Sequence, residues 1–314
     1  MSVIIQQGDY GITTVDTGYL REKFAASHML VAGGKAAFID VGTSFSVPRL
    51  LQALGEAGLV QADVRYLILT HIHLDHAGGA GRLMALCPNA QLVVHPKGAP
   101  HIIDPEKLVA GSIAVYGRET FQQLYGEIPG VPKERVIAAN DGYVLDFEGR
   151  KLHIVDTPGH ARHHLCVWDP ESGGVFTGDA LGLAYLELQQ EGCPPFFICT
   201  TSPSAFEPDA MVASIERVMN LSPRRFYLTH YGAVAAVPES VAALMEMVRG
   251  HKRLGEQYGG QPERLREEIF RLIEKAYSGY LQGKEPSLDL KAFLQNDVEL
   301  NARGVELWVA RQKG

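Results

Sequence analysis

Three imidazoles and a carboxylate occur within six consecutive positions of this chain. The segment reads Thr70-His71-Ile72-His73-Leu74-Asp75-His76. Neutral imidazole nitrogen and carboxylate oxygen are the usual protein ligands of zinc and of non-haem iron. Because side chains at i and i+2 of an extended chain point the same way, His71 and His73 can share one metal ion. Asp75 and His76 follow a change of chain direction, so the segment predicts the nucleus of a two-metal site.

The residues on either side of this segment favour a buried site over a solvated loop. Residues 64–69 form a short apolar run of β-favouring side chains. Residues 77–81 are rich in glycine and lead into a helical pattern of apolar residues. A surface loop with uncoordinated histidines is the alternative. Since the histidines follow a strand directly, we expect them at its carboxyl end.

The overall composition bounds the class of protein. With 46% hydrophobic residues, 314 residues can bury the core of one large domain, or of one domain with a helical appendix. The net charge of -7 argues against nucleic acid as a partner, because neutralising phosphates requires clustered Lys and Arg. Residues 1–8 lack the features of a signal peptide, and no apolar run reaches membrane-spanning length. We therefore expect a cytoplasmic protein with no membrane partner.

Two parts of the chain share a β/α pattern. The predicted strands are 28–32, 35–40, 64–69, 143–147, 151–155, 165–168 and 174–177, and a helix is predicted at about 47–57. Each part ends in a basic-led strand that terminates in Thr-His, at His71 and at His230. We interpret this as a duplicated half, and facing strand ends would bring the histidines of both halves to one edge.

The chain divides by composition into a catalytic domain and a helical extension. We expect the catalytic domain over residues 1–238 and the extension over 239–314, packed on the same domain. Residues 98–139 of the first part form a helical insertion, which we expect to be a lid or a pocket wall. An apolar stripe at 3.6-residue spacing around Leu265 and Ile269 predicts core packing for the extension. A homodimer contact is the alternative role of these helices.

Three more potential ligands each accompany a predicted strand end. They are His160 after Thr157-Pro158-Gly159, Asp179 after Thr177-Gly178, and His230 before Tyr231-Gly232. Each is a weak signal alone, since a single histidine or a Gly-Asp turn is more often structural. Together, and in this order after the His-rich segment, the three residues are a specific signal of a metal site.

The full set resembles the metal signature of the metallo-β-lactamase superfamily, from about residue 20 to residue 235. It comprises His71, His73, Asp75, His76, His160, Asp179 and His230. The resemblance implies an α/β (α+β) fold, a four-layer αββα sandwich of two mixed β-sheets flanked by helices, here with a C-terminal helical extension. It also implies two divalent metal ions, zinc first, with iron or manganese as alternatives. Glyoxalase II and quorum-quenching lactonases are similar in ligand layout.

The resemblance also implies a role for each position. One ion would be held by His71, His73 and His160 and the other by Asp75, His76 and His230, with Asp179 bridging. Asp40 resembles an aspartate that supports the metal loop by hydrogen bonds, and His163 and His164 either bond to the ligands or simply pack. No cysteine occupies a ligand position, so antibiotic hydrolysis is not expected.

Two features bear on the substrate. Residues 157–164 depart from the Thr/Ser-Gly continuation that is common in glyoxalase II, which argues against glutathione thioesters. Tyr185 lies shortly after Asp179 and is a candidate substrate-binding residue, with aromatic packing as its alternative.

The implied chemistry is hydrolysis by a hydroxide that bridges two metal ions, because paired cations lower the pKa of water from about 15.7 towards 7. Asp75 is the candidate catalytic residue, which orients this hydroxide and shuttles its proton. We expect a metal-dependent hydrolase that attacks the carbonyl of a small-molecule ester, lactone or thioester. The alternatives are a phosphodiesterase of the same fold, an iron-dependent persulfide dioxygenase, and a catalytically silent metal-binding regulatory protein.

Overall fold

The computed structural model of the chain describes residues 4–202 and 205–313. Residues 1–3, part of the segment considered above for a signal peptide, lie outside the described residues. The chain divides into two compact units. Where described, unit 1 comprises residues 1–156, 163–178 and 225–233, and unit 2 comprises 157–162, 179–224 and 234–314.

The first sheet has seven strands in sequence order and lies in unit 1. Its strands are β1 (Ile5–Gln7), β2 (Ile12–Asp16), β3 (Ala26–Ala32), β4 (Lys35–Ile39), β5 (Val64–Ile68), β6 (Gln91–Val94) and β7 (Val136–Ala138). Neighbours pair antiparallel from β1 to β4 and parallel from β4 to β7. Gly33 and Gly34 both have positive φ, as the tight turn between β3 and β4 requires.

The second sheet has six strands in the order β13-β12-β11-β10-β9-β8. They are β8 (Val144–Phe147), β9 (Arg150–Asp156), β10 (Leu165–Asp169), β11 (Gly174–Gly178), β12 (Arg225–Leu228) and β13 (Gly232–Ala235). Neighbours pair antiparallel from β8 to β11, and β11 pairs parallel with β12. This sheet is therefore mixed, like the first.

Apolar side chains of both sheets form one buried core in unit 1. Ile39 and Ile68 of the first sheet and Leu165 and Phe176 of the second belong to it. Four helices follow strands of the first sheet, namely α1 (Val47–Glu56), α2 (Leu74–Ala77), α3 (Ala80–Leu86) and α4 (Ala99–Ile103). A second core joins these helices to the first sheet. The central strands are thus apolar on both faces, as strands between two layers must be.

The remaining helices lie in the insertion and in unit 2. The insertion contains α5 (Glu106–Tyr116) and α6 (Arg118–Tyr125) and runs on into β7. Unit 2 contains α7 (Pro208–Met219), α8 (Pro238–Tyr258), α9 (Pro262–Leu281), α10 (Leu290–Phe293) and α11 (Gln295–Lys313). Leu265 and Ile269 are buried in α9. Over residues 4–202 and 205–313, no helix combines the length and the apolar character needed to cross a membrane.

The predicted fold class is confirmed, because two mixed β-sheets are flanked by helices. The predicted strands 28–32 and 35–40 form the hairpin of β3 and β4, and the predicted strands 165–168 and 174–177 form the hairpin of β10 and β11. The division into domains at residue 238 stays a prediction. The compact units cut the chain elsewhere, since residues 179–224, with helix α7, group with the C-terminal helices.

Candidate metal centre

The parallel pairing of β4 and β5 sets Asp40 beside Thr70. Ile39 pairs with Ile68 near the ends of the two strands, so the next residues emerge at one edge of the sheet. The Thr70 backbone N–H donates to Asp40 Oδ1 at 2.8 Å. Asp40 has a φ of 51°, a left-handed conformation that Asp tolerates better than most residues because its short side chain bonds locally.

The buried carboxylate of Asp40 accepts hydrogen bonds from both Thr-His strand ends. The hydroxyls of Thr70 and Thr229 each donate to its Oδ2 at 2.9 Å. His76 Nδ1 lies 2.7 Å from the same oxygen. A buried charge requires partners of this kind, and charge-assisted bonds are the strong ones. Asp40 therefore fixes His76 and ties the two strand ends together.

His71 and His73 face each other, as the alternation of an extended chain predicts. His71 Nε2 lies 2.9 Å from His73 Nδ1. Thr70 Oγ1 lies 3.1 Å from His71 Nδ1. Because this hydroxyl donates its hydrogen to Asp40, it accepts a hydrogen bond from the Nδ1–H group of His71. Nε2 of neutral His71 then carries its lone pair towards His73.

Asp75, His76 and His230 form a group of potential metal ligands within unit 1. One ligand atom of each residue lies within 4.8 Å of the others. Asp75 Oδ2 is 3.8 Å from His76 Nε2 and 3.4 Å from His230 Nε2. Helix α2 carries the first two residues, and strand β12 leads into the third.

The hydrogen bonds at Nδ1 fix which nitrogen of each ring can bind a metal. His230 Nδ1 donates to Phe24 O at 2.8 Å, and His76 Nδ1 is bonded to Asp40. Carbonyl and carboxylate oxygens only accept, so Nδ1 carries the proton and Nε2 of the neutral ring keeps its lone pair. Metal-binding histidines are oriented in this way. The donor atoms of this group therefore fit a divalent ion.

Unit 2 contains the two other predicted ligands. His160 Nε2 lies 3.4 Å from Asp179 Oδ2, and both side chains are buried. His160 Nδ1 lies 3.3 Å from Thr200 O. This pattern repeats that of His230, with a carbonyl oxygen at Nδ1 and a carboxylate at Nε2. His160 therefore also presents Nε2 as its ligand atom.

The remaining predicted site residues lie in packed surroundings. The ring centroids of His163 and His164 are 6.3 and 5.0 Å from that of His71. Tyr185, in unit 2, is buried, and its hydroxyl donates to Asp297 Oδ1 at 2.9 Å. Substrate binding by Tyr185 stays a prediction, as does support of the ligands by His163 and His164.

The structure adds residues that the sequence did not indicate as part of the site. They are Thr70 and Thr229, which donate to Asp40, and Phe24, which accepts from His230. His28 lies on strand β3, its Nε2 is bonded to Leu228 O at 3.1 Å, and burial lowers the pKa of this histidine to about 4.

A cleft of about 530 Å³ opens in unit 1 beside the metal-ligand turn. Ser44, one of its lining residues, donates to the carbonyl of Glu127, and its hydroxyl lies 3.4 Å from the carbonyl of Gly78, just after helix α2. The cleft is lined by Ser44, Phe45, Arg82, Gln122, Gly126, Glu127 and Pro129. Its lining combines an exposed aromatic ring with side chains of both charges, and it contains none of the predicted metal ligands.

The family model of the metallo-beta-lactamase superfamily matches residues 21–230. That match covers more than half of the chain, and it spans all seven predicted ligands. The chain therefore belongs to the metallo-beta-lactamase superfamily.

Relatives with curated descriptions carry several names. A metallo-beta-lactamase fold-containing protein of Sulfurisphaera tokodaii is 24% identical over 72% of this chain and 80% of its own length. A hydroxyacylglutathione hydrolase of a Synechococcus species is 26% identical over 85% of this chain and 87% of its own length. An N-acyl homoserine lactonase of Azorhizobium caulinodans is 29% identical, over 53% of this chain and 57% of its own length.

Solved structures show the same fold. An archaeal metallo-beta-lactamase superfamily protein from Sulfolobus tokodaii superposes with a TM-score of 0.63 at 20% identity, covering 95% of this chain and 99% of the other. A family protein from Thermus thermophilus gives a TM-score of 0.57 at 23% identity, covering 91% of this chain and 96% of the other. At these identities the likeness concerns the fold alone.

Proposed function

We propose that this chain is a dinuclear metal-dependent hydrolase that attacks the carbonyl of an ester, lactone or thioester. The observation that carries the proposal is the group of Asp75, His76 and His230, whose ligand atoms lie within 4.8 Å of one another. When bound, two such ions supply a water of lowered pKa and a Lewis acid for the attacked oxygen. Zinc is the ion we propose first, and the same ligands suit iron or manganese.

We propose the complete ligand set that the sequence suggested. His71, His73 and His160 would hold one ion, Asp75, His76 and His230 would hold the other, and Asp179 would serve as a ligand shared by both. The support is the family membership together with the local geometry, in which His71, His76, His160 and His230 each have an oxygen at Nδ1. Such partners set both the tautomer and the orientation of a metal ligand.

Asp75 is the proposed catalytic residue. Its carboxylate is partly exposed and lies within 4 Å of two imidazole Nε2 atoms. A carboxylate in this position can accept a hydrogen bond from an attacking water and hold its proton. Asn has the same shape but cannot take up a proton, so Asp75→Asn tests this role.

The proposed substrate is a small molecule with a carboxylic ester, lactone or thioester bond. Relatives named hydroxyacylglutathione hydrolase and N-acyl homoserine lactonase support this class. The segment 157–164 argues against glutathione thioesters, so lactones and other esters come first. The net charge of -7 disfavours a polyanionic substrate. A cytoplasmic location and a homodimer contact through the C-terminal helices remain predictions.

The test combines metal analysis with a substrate panel. Lactones, thioesters, aryl esters and phosphodiesters are assayed for hydrolysis, and a persulfide is assayed for oxygen consumption. We expect about two transition-metal ions per chain and turnover of at least one carboxylic substrate. Asp75→Asn should lower that turnover by about 100-fold or more. The matched control is Asp209→Asn, which changes an exposed carboxylate paired with Lys252 and should leave turnover unchanged.

Each other outcome contradicts the proposal in a different way. Hydrolysis of phosphodiesters alone would identify a phosphodiesterase. Oxygen consumption with the persulfide, without hydrolysis, would identify a sulfur dioxygenase. Metal uptake with no turnover of any compound would favour a regulatory metal-binding protein.

A further inference from the structure

Helix α6 of the insertion contacts the residue next to a proposed metal ligand. Leu74, which precedes Asp75 on helix α2, is buried in a cluster with Phe121 and Tyr125 of α6. The rings of Phe121 and Tyr125 lie 5.5 Å apart, centroid to centroid. Helix α2, which carries Asp75 and His76, therefore packs against α6 through Leu74.

The same helix also reaches the loop between β2 and β3. The hydroxyls of Tyr19 and Tyr125 lie 2.9 Å apart in a hydrogen bond, and the two rings stack with centroids 5.9 Å apart. The ring of Tyr19 in turn meets that of Phe24 edge to face at 5.7 Å. Stacked and edge-to-face pairs at these distances are favourable beyond their buried area.

Phe24 completes the path to a second ligand. Its carbonyl oxygen accepts from His230 Nδ1 at 2.8 Å, and its ring meets the imidazole edge to face at 5.2 Å. His230 Nε2 lies 3.4 Å from Asp75 Oδ2. The contacts thus form a closed ring, which runs from α6 through Tyr19, Phe24, His230 and Asp75 and returns to α6 through Leu74, the neighbour of Asp75.

The loop that carries Tyr19 and Phe24 depends on its surroundings for its shape. Leu20 and Lys23 both have positive φ, of 57° and 55°. Residues with a Cβ hold such conformations only when neighbouring contacts fix them. The guanidinium of Arg21 lies over the ring of Phe24 at 5.2 Å, which adds one such contact.

We propose that Tyr19 and Tyr125 are positioning residues for the ion held by Asp75, His76 and His230. Their hydroxyl bond fixes the spacing between helix α6, which supports Leu74, and the loop that supports His230. Metal ligands must lie within a few tenths of an ångström of their bonding distances. Without the bond, the two supports can shift independently, and the ligand atoms lose that spacing. This inference rests on the proposed function, because it concerns the same metal centre.

The test is a titration of metal-free protein with Co²⁺ or Zn²⁺ against a competing chelator. Tyr19→Phe and Tyr125→Phe remove the hydroxyl bond and keep both rings. The control is Tyr280→Phe, which removes a hydroxyl that accepts from Gln190 N at 2.8 Å in unit 2. His230→Ala identifies the binding step that depends on this group of ligands.

We expect each Tyr→Phe variant of the pair to weaken the His230-dependent step by about 3- to 10-fold, at or below the range for direct partners of ligands. The other step should keep its affinity. The double variant should equal the single variants, because either change alone breaks the bond. Tyr280→Phe should bind both ions like the wild type.

Three results would overturn the inference. They are wild-type affinity in both steps, equal weakening of both steps, and the same weakening in Tyr280→Phe. Failure of the proposed function looks different, since a wild-type protein that binds two ions and hydrolyses nothing still gives a readable titration. A wild type without any His230-dependent step would overturn both.

Discussion

The two strands that end in Thr-His use the same dipeptide to place an imidazole in different ways. In both, the threonine hydroxyl donates to Asp40 at 2.9 Å. At the first end, the hydroxyl of Thr70 also accepts from His71 Nδ1. At the second end, the Nδ1 proton of His230 goes to the carbonyl of Phe24 instead.

The difference shows how one carboxylate, that of Asp40, can anchor two strand ends whose histidines, His71 and His230, have different hydrogen-bond acceptors. At the first end, the acceptor for His71 Nδ1 is the neighbouring threonine, so the orientation of this imidazole is set locally. The second depends on a loop more than 200 positions earlier in the sequence, and through it on the packing of helix α6. Asp40 is common to both ends, and its replacement should harm both.

Asp40→Asn should have the largest effect on stability. Asn tolerates the left-handed backbone at this position, so the change tests the carboxylate alone. Its amide cannot accept from the Thr70, Thr229 and His76 donors together, and the expected loss is about 3–5 kcal/mol of unfolding free energy. Urea unfolding of metal-free protein measures it. Asp63→Asn, which breaks an ion pair with Lys35 at the surface, should cost far less unfolding free energy, and equal losses would contradict the account.

Gly178→Ala should damage the first strand end alone. A Cβ there would lie 2.5 Å from Thr70 Oγ1 and 2.7 Å from His164 Nε2, and Gly178 has a φ of 46°. Overpacking together with the left-handed backbone should cost about 3 kcal/mol. Gly142→Ala is the matched control, because Gly142 has a φ of 77° and open space around it. It should cost about 1 kcal/mol in the same unfolding experiment, and a similar loss in both variants would show that crowding at Thr70 is unimportant.

Acid should lower the unfolding free energy through His28, which is bonded to Leu228 just before the second Thr-His strand end. Burial lowers the pKa of His28 from 6.5 to about 4, so the unfolded chain takes up the proton first. The stability that the neutral ring contributes is complete above pH 6.5 and is lost as the pH falls from 6.5 to 4, by about 2–3 kcal/mol. Unfolding free energy measured across this window should fall less steeply in His28→Gln. Parallel curves for variant and wild type would rule out this contribution.

The smallest expected difference in unfolding free energy is between variants of the two threonines. Thr229→Val removes one donor to Asp40 and should cost about 1 kcal/mol. Thr70→Val removes a donor to Asp40 and also the hydroxyl that accepts from His71 Nδ1, so it should cost about 2 kcal/mol. Both variants keep the β-branched shape. Denaturant midpoints at constant slope measure the difference. A larger loss for Thr229→Val would reverse the comparison.

The sequence predicted strands such as β3, β4 and β5 because their signal is local. Alternating and apolar runs predict β3, β4 and β5, and the spacing of His71 and His73 predicts that they face each other. The repeated Thr-His dipeptide is visible in the sequence, but the role of its hydroxyls is not. The dipeptide itself does not indicate that Asp40 is their acceptor. The carbonyl of Phe24 could not be predicted, since every residue carries one and only the fold selects it.

The most direct test of the proposed metal centre is anomalous scattering from crystals of the zinc-loaded protein. We predict two zinc peaks, one of them bonded to Asp75, His76 and His230 at about 2.0–2.2 Å. The absence of a peak at these three residues, in protein that has been offered excess zinc, would contradict the account.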